Sequence, residues 1–140
     1  DWTLTAASGS APDVRNPQVI QQMRKLSRTR THSARLELYR KLLRADLLVP
    51  VESAGSNKPA VIGDLAGFPV FGAFTDHKSV LYHDPRDRHV RILSGRQLFP
   101  MLVKMGAGSL RLNPDAVVGG ELYRNELDAI AGAAMRISIR

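Results

Sequence analysis

Apolar residues in this chain come in short runs whose period changes from one run to the next. Val19, Ile20, Met23 and Leu26 recur at helical spacing, and Leu38, Tyr39, Leu42 and Leu43 do so again in a second helix at about 34–46. Leu47-Leu48-Val49-Pro50-Val51 then reads as a short strand. Pro50 has no N–H to give to a ladder, which places it at a sheet edge or strand end. Phe68 to Phe74 is aromatic and β-branched, His89 to Leu93 alternates, and Leu110-Arg111-Leu112 is again strand-like. Further helices fall at about 76–82, 95–105 and 124–134. Such alternation, without an internal repeat, defines an α/β (α+β) chain: a single domain with a small mixed sheet of short strands, covered by about four to five helices. No run approaches the ~20 apolar residues that span a bilayer.

Cap and turn residues set the boundaries. Asn16 reads as the N-cap of the first helix, with Pro17 at the position where a missing N–H costs nothing. Ser33, Thr75 and Ser94 can cap the next three helices, and Gly106-Ala107-Gly108 stops the fourth. Val61-Ile62 suggests a short strand, Gly63 to Gly67 a turn, and Asp84 to Asp87 another around Pro85. Asn113 can hold the turn before Pro114 with its side chain, and Gly119 and Gly120 permit positive φ. Residues 1–13 are rich in Ser, Gly, Ala and Pro and read as a flexible tail. The folded domain then covers 14–135, and 136–140 alternates as a C-terminal strand or linker. A chain of 140 residues, 44% hydrophobic, can bury its core without metals or disulfides.

The net charge of +7 is local. Residues 15–44 hold nine basic side chains and one acid, Glu37, so that stretch carries +8 and the rest of the chain −1. Such asymmetry points to an anionic partner. Arg24, Lys25, Arg28, Arg40, Lys41 and Arg44 form the candidate partner-binding face. An acidic protein is the expected partner, and nucleic acid is the alternative, through salt-dependent phosphate contacts.

Catalytic and cofactor chemistry finds little support. The chain has no Cys, which removes thiolate nucleophiles and Cys-ligated metals. His77, His83 and His89 recur every six residues, a spacing that suits neither a helical pair nor a strand face, so a converging metal site is not expected. There is no nucleophile elbow. Gly106-Ala107-Gly108 precedes a strand instead of opening a helix, so it fails the dinucleotide fingerprint. The expectation is a protein without cofactor or metal, and not an enzyme.

The order of features from Leu47 to Ala131 is more specific. It runs Leu48-Val49-Pro50, then Pro69-Val70-Phe71-Gly72-Ala73-Phe74-Thr75, then Gly95-Arg96-Gln97-Leu98-Phe99. It closes with Leu110-Arg111-Leu112-Asn113-Pro114, Gly119-Gly120-Glu121-Leu122 and a helix holding Glu126-Leu127. This order resembles the bacterial SseB family N-terminal domain, named for enhanced serine sensitivity, and Asn16–Asp46 fits that family's opening helices. The resemblance implies an α/β fold of this size and an accessory, secretion-associated or chaperone-like role in the bacterial cytoplasm. An immunity or secretion-partner protein is a narrower version of the same expectation. Within the pattern, Pro50, Phe71, Phe74, Thr75, Phe99, Asn113, Pro114, Gly119 and Gly120 have physical reasons that are mostly structural. The basic block on the opening helices is not part of it.

Overall fold

The structure, a computed structural model, describes residues 14–83 and 89–139; the tail at 1–13 and the Asp84–Asp87 turn lie outside the described residues. In chain order the elements are α1 (Pro17–Thr29), α2 (His32–Arg44), β1 (Asp46–Pro50), β2 (Gly63–Leu65), β3 (Phe68–Ala73) and α3 (His77–His83). They continue with β4 (Val90–Ser94), α4 (Gly95–Lys104), β5 (Ser109–Leu112), β6 (Gly120–Tyr123) and α5 (Arg124–Ile139).

The strands form a four-stranded sheet in the order β2-β3-β5-β6 and a two-stranded ribbon of β1 and β4. The larger sheet is mixed, because β3 and β5 run parallel while β2 and β6 are antiparallel to their neighbours. Leu48 and Phe74 exchange backbone hydrogen bonds of 2.9 and 2.8 Å, which join the ribbon to the end of β3. Side chains alternate across a strand, so Phe71, Ala73, Leu110, Leu112 and Leu122 share one face. Against that face lie Val19 and Met23 of α1, Leu38 and Leu42 of α2, Leu98, Phe99 and Leu102 of α4, and Leu127 and Ile130 of α5. Val14, Leu48, Phe74, Val80 and Val90 form a second, smaller core, with Ile92 packed against it.

Several boundaries differ from the sequence reading. Val61-Ile62 is not a strand; β2 begins at Gly63 because Ala66 and Gly67, both at positive φ, make a two-residue hairpin turn. That tight turn lets the residues read as loop pair with β3. Gly120–Tyr123 is a strand although only a turn was expected there. Residues 136–139 are the last turn of α5, not a strand or linker, since the helix runs unbroken to Ile139. Helix α2 starts two residues early, with the Thr31 hydroxyl, not Ser33, accepting from the Ala34 N–H at 3.2 Å. Asp76 replaces Thr75 as the cap of α3, accepting from the Ser79 N–H at 2.7 Å. Ser94 caps α4 as expected, within a reciprocal capping box with Gln97.

Candidate partner-binding site

The residues singled out in the sequence separate into two groups. The first is scaffold. Phe71, Phe74 and Phe99 are fully buried, and Pro50 closes β1 with its carbonyl accepting from the Ala60 N–H at 2.9 Å. Thr75, with no exposed surface, is the centre of a polar knot. Its N–H donates to the Asn113 side-chain oxygen at 2.9 Å, and its hydroxyl accepts from the Asn113 amide at 2.9 Å. That amide also donates to the Val118 carbonyl at 3.1 Å. The Asn16 side chain donates to the Thr75 carbonyl at 3.0 Å and to the Asp46 carbonyl at 2.7 Å. Asn16 therefore makes no side-chain cap to α1; it ties the start of the helix to the end of β3. Both asparagines sit in the left-handed region, at φ of 50° and 49°, which their short polar side chains tolerate. Pro114 follows Asn113 out of the knot, half-buried.

Gly119 and Gly120 do not adopt positive φ; among the described residues the glycines that do are Gly55, Gly67 and Gly106. Gly119 is needed for a different reason. A Cβ there would stand 2.7 Å from the Asn113 carbonyl oxygen and 2.9 Å from that of Leu112. Gly120 has room for a Cβ, its nearest neighbour being Met23 Cε at 4.0 Å.

The second group is the basic block. Val19 and Met23 bury one side of α1, and helical spacing puts Arg24, Lys25 and Arg28 on the exposed side. On α2, Arg40 and Arg44 are exposed while Lys41 is half-buried. Glu37 pairs with Arg40 at 3.2 Å, not with Lys41 one turn on. Lys41 instead donates to Gln22 Oε1 at 3.2 Å, and Gln22 Nε2 donates to the Ala34 carbonyl at 2.9 Å. That chain of bonds holds α1 against α2 and takes Lys41 partly out of the exposed face. Among the described residues Arg24, Lys25, Arg28 and Arg44 make no ion pair.

Between the α1–α2 hairpin and β6 lies a cleft of about 320 Å³. Met23, Leu26, Leu38, Leu112 and Leu122 line it with apolar surface, Arg30 and Arg35 stand on the helical side, and Glu121, Tyr123 and Glu126 on the sheet side. Beside it, the Tyr39 hydroxyl donates to the Glu126 carboxylate, joining α2 to α5. Burial first, and the Glu126 hydrogen bond and charge second, hold the Tyr39 hydroxyl well above its usual 10.0; the nearby Arg35 works the other way. A raised acid pKa stabilises the fold fully below the unfolded value, and that contribution declines above it until it is lost as pH rises through the folded value. Tyr39→Phe is therefore expected to lose about 1–2 kcal/mol at neutral pH. The gap between the two proteins should narrow above pH ~10, as read by urea denaturation at several pH values; a gap that widens there would contradict the Tyr39–Glu126 tie. Sequence reasoning missed Arg30, Arg35 and the cleft. Tyr39 read only as part of an apolar stripe, and Glu126 only as part of a pattern.

Among the described residues no group of three or more His, Asp or Glu is placed to hold a metal ion. Nor is any helix long and apolar enough to cross a membrane. With fold and cleft in place, the comparison with known families is direct. The family model described as SseB protein N-terminal domain matches residues 20–129, which takes in the helical hairpin, both sheets and the start of α5. The chain belongs to the SseB family. No curated protein matches it in sequence.

Proposed function

We propose that this SseB-family domain is a non-enzymatic interaction module, an accessory or chaperone-type protein that binds another protein, and that the partner presents acidic groups to the α1–α2 hairpin. One observation carries the reading: Arg24, Lys25, Arg28 and Arg44 are exposed on that hairpin without ion pairs among the described residues, while the sequence outside 15–44 is nearly neutral. A cationic surface on a neutral body accelerates encounter with an acidic partner and selects against basic ones. An immunity or secretion-partner role uses the same surface and differs in who the partner is.

The test compares the wild-type chain with Arg24→Glu/Lys25→Glu/Arg28→Glu, a change confined to exposed positions and therefore expected to leave folding intact. Affinity capture from the native cell should recover a stoichiometric acidic protein with the wild type and lose it with the variant. Mixed-sequence DNA and RNA are titrated in parallel at two salt concentrations. Nucleic-acid binding that falls steeply with salt and disappears in the variant, with no protein captured, would replace this reading with the nucleic-acid one.

A further inference from the structure

The cleft beside β6 differs from the basic face in one chemical respect. Two acids and two arginines line it, and among the described residues the acids have side-chain hydrogen bonds while the arginines have neither a side-chain hydrogen bond nor an ion pair, Arg35 acting on Tyr39 through its charge alone. Glu126 accepts from the Tyr39 hydroxyl and, at 3.4 Å, from the Tyr123 N–H. Glu121 accepts from the Ser109 hydroxyl and, at 3.4 Å, from the Tyr123 hydroxyl, and lies 3.7 Å from Arg111 Nε. Arg30 and Arg35 make no ion pair among the described residues, although Glu126 stands on the opposite rim; the Glu121 carboxylate turns to the other face of the sheet, beside Ser109 and Arg111.

Two further observations bear on what enters. Arg30 closes α1 in the left-handed conformation, at φ 48°, where glycine fits without strain and arginine does not. In addition, β6 is the end strand of its sheet, and Gly120 to Tyr123 all line the cleft, so an extended backbone can lie along that edge.

We infer that the cleft receives an extended segment of the partner protein in which an acidic residue stands next to a large apolar one. The carboxylate meets Arg30 and Arg35, and the apolar side chain covers the leucine floor. This rests on the reading that the domain binds a protein and names the segment it takes. Charge complementarity decides the occupant. A basic segment would face the two unpaired arginines, and a second copy of this chain would bring its own +7. A nucleic-acid strand would bring a run of phosphates past Glu126, where the proposed segment brings one carboxylate to the arginines.

A random linear peptide library displayed on phage and panned on the purified chain tests this. The enriched sequences should place Asp or Glu beside Leu, Ile, Met or Phe. As synthetic peptides followed by fluorescence anisotropy, they should bind Arg30→Ala/Arg35→Ala about tenfold or more weakly. Against Arg24→Ala/Lys25→Ala/Arg28→Ala their affinity should stay within about twofold. Arg30→Gly separates binding from folding: it should raise Tm by relieving the left-handed arginine, and still weaken the peptides. Peptides without acids, peptides that bind the Arg30/Arg35 variant as well as wild type, or no enrichment at all would overturn the inference. Peptides that lose affinity only against the α1 triple variant would overturn it and leave the broader protein-binding reading standing. No enriched peptide together with no captured protein would bring down both.

Discussion

Gly95→Ala is expected to cost about 3 kcal/mol or more and to lower Tm by roughly 10 °C, if the variant folds at all. A Cβ at this position would stand 2.0 Å from the Leu42 carbonyl oxygen and 2.7 Å from both Leu42 C and Leu43 Cα. Those are backbone atoms of the last turn of α2, so no side-chain rotation can make room. The Gly95 N–H also donates to the Ala45 carbonyl at 3.0 Å, which fixes the two chains at this separation. Moving them apart would withdraw Leu98 and Phe99 from the core beneath. Thermal denaturation followed by circular dichroism measures the effect, with the exposed neighbour Arg96→Ala as a control that should change stability by no more than about 0.5 kcal/mol. A Gly95→Ala protein as stable as that control would mean that α4 does not meet α2 backbone to backbone.

Asn113→Ala is expected to rank next, at about 3 kcal/mol. Asn113 is 2% exposed, and its side chain serves the Thr75 N–H, the Thr75 hydroxyl and the Val118 carbonyl. The Thr75 hydroxyl keeps Asp76 as a partner at 3.1 Å, so the buried Thr75 N–H is the group left without one, at about 1–3 kcal/mol, and alanine adds about 1 kcal/mol of left-handed strain at φ 49°. Asn113→Gly removes the same hydrogen bonds without the strain. It should therefore recover about 1 kcal/mol relative to alanine. Equal stability of the two variants in urea denaturation would show that this turn does not hold the left-handed conformation.

Much of this protein could be read from local pattern. The helical period of Val19, Met23 and Leu26, the Asn16-Pro17 boundary and the Ser94 cap all act within a few residues, and each matches an element of the structure. Strands were harder. β2 has three residues, too few for alternation to stand out, and lies within the Gly63–Gly67 turn signal; β6 opens on Gly120, which with Gly119 signals a turn. Glycine was legible as an exception but not for its cause. Gly119 read as a positive-φ residue, whereas it makes room for carbonyl oxygens of residues 112 and 113, which only folding brings beside it.

The candidate site divides in the same way. Arg24, Lys25 and Arg28 were identifiable from charge and helical period alone, because an amphipathic helix shows its outward side in its spacing. Arg30 and Arg35 belong to the same basic run, and nothing in their spacing distinguishes them. What does is the far wall of the cleft, built by β6 and α5 some ninety residues later in the chain. By itself the sequence determined the fold class, the family pattern and the +8 block, since periodicity, turn chemistry and charge are properties of neighbouring residues. Only the tertiary structure decided that Thr75, Asn16 and Asn113 form one polar knot, and that among the described residues Glu121 and Glu126 find side-chain hydrogen bonds while Arg30 and Arg35 form no ion pair. Those pairings depend on distances between segments far apart in the chain, which packing alone sets.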